Sequence, residues 1–170
     1  MKSIILIGMP GCGKSTLGVI LAKELGMSFV DTDIVIQERT GELLQETLEK
    51  RGVSSLLDEE ENAILSLDMT KPRVVSTGGS AVLREKSMEY LKKHGVCVYI
   101  KLPYEEIEKR IDNRSTRGIA AEGNETLFDI YNFRTPFYEK YADITCDCSE
   151  KSVSENVKNV KLAVLEHVIL

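Results

Sequence analysis

A chain of 170 residues with 42% hydrophobic and 29% charged side chains holds enough apolar material for one sizeable core, and it is too short for several. Its formal net charge of −5, with acidic residues spread along the chain, argues against a nucleic-acid backbone as the main partner but allows a small anionic ligand that needs only a few local cations. No apolar run approaches the roughly 20 residues of a membrane span, and the run at 3–7 is too short for a signal-peptide core, so a cytosolic protein without membrane contact is expected.

The chain opens on "SIILI", continuous in apolar residues, as in a strand covered on both faces. "GMPGCGKST" follows at 8–16, and a helix is predicted over 14–25. A short strand at 29–30 runs into "FVDTD", then into a helical stretch over 33–50 broken at Gly41 and another over 56–68. Strands at 74–75 and 96–100 flank a helix over 84–94. Pro103 suits the first turn of a helix over 103–113. The long polar stretch 113–125, "NRSTRGIAAEGNE", carries two arginines, two glycines and nothing bulky, and reads as a mobile loop. A helix over 126–140, a strand at 144–145 and a last helix over 152–167 complete the chain. This alternation predicts an α/β fold, a parallel sheet with crossover helices in one domain. Cys12, Cys97, Cys146 and Cys148 have neither the spacing of a secreted disulfide framework nor a second pair to close a zinc site, and read as reduced thiols.

Gly8 to Thr16 satisfies G-x-x-x-x-G-K-[ST] where the chemistry needs it, at a strand end opening a helix. Backbone N–H groups of Gly11, Cys12, Gly13 and Thr16 then converge on phosphate oxygens, helped by the positive end of the helix. Lys14 would reach the β- and γ-phosphates, and Ser15 would offer its hydroxyl to Mg²⁺. ATP and Mg²⁺ are the implied cofactors. Asp31 and Asp33, two residues apart where the second strand ends, read either as a helix N-cap at Asp33 or as one carboxylate beside Mg²⁺ and one facing an acceptor hydroxyl.

At this point the chain resembles the shikimate kinases. "GMPGCGKST", "LAKELG", "DTD", "ERTG", "STGG", the "STR" of the loop and "FRTPFYEKYAD" fall in that family's order and close to its spacing. The resemblance implies a three-layer P-loop kinase fold of the nucleoside-monophosphate-kinase kind, with a five-stranded parallel sheet flanked by helices and a mobile lid near 113–125. It implies phosphate transfer from ATP to a small hydroxylated acid. Carried across by position, it makes Asp31 the carboxylate near Mg²⁺ and Asp33 the one on the substrate hydroxyl. Arg117 becomes the lid arginine that reaches the transferring phosphate, Arg110 the residue stacked on adenine, and Arg134 the holder of the substrate carboxylate. Gly78 and Gly79 fall on the substrate side.

The chain also departs from that pattern. A phenylalanine and a carboxylate-binding arginine of the family are Leu56 and Leu57 here, a third substrate-side glycine is Ser80, and the proline after the lid arginine is Gly118. Glu60 keeps the position of an acidic partner, and Arg51 is a candidate to replace the lost cation. Losing an arginine from a charge-assisted contact costs roughly 1.5–3 kcal/mol, so a KM for shikimate raised about 10-fold is expected. Three readings stay open: a monomeric enzyme forming shikimate 3-phosphate, a kinase of another small hydroxy acid, amino acid or polyol, and a nucleotide-binding regulatory module with a degenerate acceptor site.

Overall fold

The computed structural model describes residues 2–111 and 118–169. Five parallel strands, β1 (Ser3–Ile7), β2 (Ser28–Asp31), β3 (Arg73–Ser76), β4 (Gly95–Lys101) and β5 (Ile144–Asp147), form one sheet in the order β2-β3-β1-β4-β5. β1 lies in the centre, with Ile5 opposite Val75 on one side and Cys97 on the other. Ile4 to Ile7 are fully buried, which explains the absence of polar alternation in "SIILI": both faces are covered by helices.

The helices are α1 (Lys14–Leu25), α2 (Thr32–Thr40), α3 (Leu44–Leu65), α4 (Glu85–His94), α5 (Tyr104–Arg110), α6 (Leu127–Tyr141) and α7 (Val153–Ile169). A 3₁₀ turn at Ala81–Leu83, unexpected from the sequence, precedes α4. Pro103 stands one residue before α5, as its N-cap. The helical stretch predicted over 33–50 breaks at Gly41 as expected, with φ 70° there, and resumes at Leu44. α3 consists of two helical segments within Leu44–Leu65 that meet at a kink, where Gly52 is non-helical at φ 81° and ψ 174°. A side chain strongly resists that conformation, so glycine makes the kink. Among the described residues no helix is long and apolar enough to cross a membrane.

α6 is fixed to the sheet by Tyr138, which stacks on Tyr99 of β4 with ring centroids 5.2 Å apart. Its hydroxyl donates to the Gly79 carbonyl at 2.6 Å. One helical turn earlier on the same helix stands Arg134, so the anchor also aims the arginine at the carboxyl ends of the strands. Parallel α/β sheets place their ligand crevices at those ends.

Candidate active site

The phosphate loop leaves β1 with Gly8 at φ 148°. A Cβ there would come within 2.8 Å of the Ile100 carbonyl oxygen, so a side chain is excluded by the neighbouring strand. Gly11 and Gly13 also have positive φ, 80° and 94°. Gly13 caps α1 without any side-chain hydrogen bond, which leaves the first N–H groups of the helix to whatever enters the loop. Lys14 is only 6% exposed. Its ammonium donates to the carbonyls of Gly8 and Met9, both at 2.9 Å, and among the described residues no carboxylate forms an ion pair with it. A buried cation held by two carbonyls and the Cys12 sulfur at 3.6 Å, with no ion-paired counter-charge among the described residues and beside an uncapped helix N-terminus, fits a polyphosphate. Cys12 is buried beneath the loop and Thr16 lines the cavity above it. Ser15 Oγ lies 3.3 Å from Ser76 Oγ at the end of β3. At the far side of the loop, Arg110 pairs with Glu106 at 3.3 Å and reaches the Cys12 carbonyl at 3.5 Å.

Of the two aspartates it is Asp31, not Asp33, that caps α2. Asp31 Oδ1 accepts from the Asp33 N–H at 3.0 Å, which corrects the expected cap and frees the Asp33 carboxylate to line the cavity. Burial, then the neighbouring Asp31 carboxylate, push the Asp33 carboxyl up to about 6 against the pull of Lys14. Thr32 between them accepts from the Gly78 N–H at 3.0 Å, tying α2 to the turn after β3.

A cavity of about 380 Å³ opens beyond the phosphate loop, with Lys14, Ser15, Asp33, Glu60, Ser80 and Arg134 all on its wall. The turn after β3 forms one side. A Cβ on Gly78 would overlap Glu60 Oε1 and stand 3.1 Å from Asp33 Oδ1. A Cβ on Gly79 would press on the ring of Pro10 in the phosphate loop, so the two glycines let the loops and both carboxylates meet. Arg134, 2% exposed, donates through Nη2 to the Ala120 carbonyl. The described end of the 113–125 stretch thus rests on α6. Its Gly118 N–H donates to Gln45 Oε1 at 3.0 Å, and Gly118, Ile119 and Ala120 complete the cavity wall.

Arg117 and the rest of 112–117 lie outside the described residues. Leu57, expected to wall the acceptor side, does not line this cavity. After the turn at Gly52 it is Leu56 that faces it, while Leu57 lines a neighbouring apolar crevice with Val53, Phe133 and Phe137. Arg51 is held by Glu42 at 3.1 Å and is not on the cavity wall, so in this structure it does not replace the missing cation. The resemblance placed Ser80 at a substrate-side glycine position and Glu60 at that of an acidic partner, but not the contact between them: Ser80 Oγ donates to Glu60 Oε2 at 2.6 Å inside the cavity wall.

A glycine-rich turn from a central parallel strand to a helix, a buried lysine within it and two carboxylates across a closed cavity define a P-loop phosphotransferase acting on a small molecule. The family profile for shikimate kinase matches residues 10–165. A shikimate kinase of Haemophilus influenzae is 34% identical over 162 residues, 94% of this chain and 90% of the relative. One of Thermodesulfovibrio yellowstonii is 38% identical over 149 residues, 86% of each. Among solved structures, shikimate kinase from Acinetobacter baumannii in complex with shikimate superposes with a TM-score of 0.91 at 27% identity, covering 100% of this chain and 96% of that one. The chain belongs to the shikimate kinase family, and it is an ATP-dependent kinase whose family uses ATP with Mg²⁺.

Proposed function

We propose that this protein transfers a phosphoryl group from ATP to the 3-hydroxyl of shikimate. The observation that carries the reading is that Asp33 on α2 and Arg134 on α6 address one cavity whose far wall is the phosphate loop. A hydroxyl and a carboxylate of the same small acid are thereby met together beside Lys14. The shikimate bound to the Acinetobacter relative supports the same acceptor.

ATP supplies the phosphoryl group, and Mg²⁺ neutralises its charge and orients it. Lys14 turns from the Gly8 and Met9 carbonyls to the phosphates, and the N–H groups of the loop between Gly11 and Thr16 fix their position, apart from that of Cys12, which donates to the Met9 carbonyl at 3.2 Å. Ser15, through its hydroxyl, and Asp31, through its carboxylate, would hold the metal, hard oxygen donors of the kind Mg²⁺ takes. Asp33 accepts the hydrogen bond of the acceptor hydroxyl and points its oxygen at the phosphorus, ready to take its proton. Arg134 holds the carboxylate and so sets the orientation of the ring. Gly78 and Gly79 admit the acceptor close to the backbone, and Arg110 lies flat on the adenine. Arg117, outside the described residues of the 113–125 stretch, would serve as the lid arginine at the transferring phosphate, where a cation neutralises developing charge. The protein works as a single-domain monomer in the cytosol.

Coupled assays of ADP release across shikimate, gluconate, homoserine and related polyols test the acceptor. Release with Mg²⁺ and shikimate, exceeding that with every other compound, is the expected result. Preference for another acid, or release independent of any acceptor, would refute the reading.

A further inference from the structure

Glu60 presents a physical problem. It stands on the second half of α3, is 3% exposed, and forms no ion pair among the described residues. A buried carboxylate without a cationic partner carries a heavy desolvation cost unless it takes a proton. Its surroundings come from four other segments: Asp33 of α2, Lys14 of α1, Arg134 of α6 and Ser80 of the turn after β3. Of these, only Ser80 makes a hydrogen bond with it, at Oε2. Oε1 lies against Gly78, on the side of that glycine where Asp33 Oδ1 also stands. Glu60 therefore shares the cavity wall with the aspartate that meets the hydroxyl and the arginine that meets the carboxylate.

We propose that Glu60 is an acceptor-binding residue that works as a neutral carboxylic acid: Ser80 fixes one of its oxygens, and the other donates a hydrogen bond to the acceptor carboxylate beside Arg134. This rests on the acceptor being a carboxylic acid, as argued above. Among the described residues Arg134 is the one cation on that part of the wall, Leu57 having turned into the neighbouring crevice and Arg51 being held by Glu42. A carboxylate has more lone pairs than one guanidinium can fill, and a protonated acid supplies the missing donor without a second buried charge. No proton is transferred: the hydrogen stays on Glu60 and is shared with the ligand. Burial, followed by the nearby Asp33, pushes the Glu60 carboxyl up to about 7, with Ser80, Arg134 and Lys14 opposing. The neutral form is thus available at physiological pH. Ser80 is a positioning residue in this arrangement.

The test is calorimetric titration of the nucleotide-free protein with shikimate from pH 6 to 8.5, where the shikimate carboxylate is ionised throughout. Wild-type affinity should fall by roughly 10-fold as pH rises through the Glu60 transition, since ionisation removes the donor and sets two anions face to face. Glu60→Gln keeps a neutral donor at every pH and should flatten the profile. Ser80→Gly removes a hydrogen bond that favours the ionised form, so it should weaken binding and move the midpoint to higher pH. A merely structural serine would weaken binding and leave the midpoint in place. A flat wild-type profile, or one whose midpoint survives in Glu60→Gln, overturns the inference. If Glu60→Gln does not fold, the midpoint of Ser80→Gly decides the matter. Turnover of shikimate by the wild type with a flat affinity profile overturns this inference alone, whereas absence of any shikimate binding removes the acceptor reading and this inference together.

Discussion

Lys14 bonds to two carbonyls of its own loop and pairs with no carboxylate among the described residues, so its charge serves an incoming phosphate and contributes little to the fold. Lys14→Ala should lower kcat by about 10²–10³-fold or more, the scale set by losing one preorganised charge or donor at a reacting centre, with thermal unfolding close to wild type. Turnover within a few-fold of wild type would remove Lys14 from the mechanism. For Arg134 the expectation differs in kind. Arg134→Lys keeps the charge and loses the fork, so KM for shikimate should rise about 10-fold with a smaller change in kcat. Steady-state kinetics separate the two variants. Lys14, Ser15, Asp31 and Asp33 were legible in the sequence because each belongs to a short motif whose geometry is local. Glu60 and Ser80 were placed near the acceptor by the resemblance alone, and the hydrogen bond that joins them was not legible, because it links residues twenty positions apart.

At the scale of elements, the site depends on a turn inside α3. Gly52 at φ 81° has no neighbouring atom within 4 Å of a built Cβ, so the cost of a side chain there is that of the backbone alone. Gly52→Ala should destabilise the fold by about 1–3 kcal/mol, read as a lower urea midpoint. It should also weaken shikimate binding, because the second half of α3 carries Leu56 and Glu60 to the cavity. Unchanged stability and affinity would show that the turn is not needed. The sequence placed helices on both sides of this point, and the non-helical Gly52 between the two segments bears that out. But the sequence put Leu57 rather than Leu56 on the acceptor side. Hydrophobic spacing cannot distinguish two adjacent leucines when the rotation of the helix is set by one non-helical residue upstream. The strands, by contrast, were all found: β1 and β4 to within a residue at each end, because burial on both faces leaves continuous apolar runs, and the partly buried β2 and β5 as two residues of four-residue strands.

For the whole molecule, the acidic site makes stability depend on pH in an uncommon direction. Glu60 has an ordinary value of 4.5 when unfolded and about 7 when folded, so between these values the folded state binds more protons. Stability contributed by this group therefore falls as pH rises through that window. The raised carboxyl of Asp33 acts in the same sense. Removing the charge by Glu60→Gln should accordingly raise the urea midpoint relative to wild type more at pH 8 than at pH 5. An equal difference at both values would mean that Glu60 is ionised throughout.

The central claim, that the cavity beyond the phosphate loop orients shikimate for phosphorylation at one hydroxyl, is tested most directly by phosphorus and proton NMR of the reaction mixture. With ATP and Mg²⁺, the wild type should convert shikimate into a single phosphate monoester at the 3-hydroxyl, and Asp33→Asn should slow its formation sharply. A mixture of monoesters, or inorganic phosphate as the only new phosphorus signal, would contradict the account.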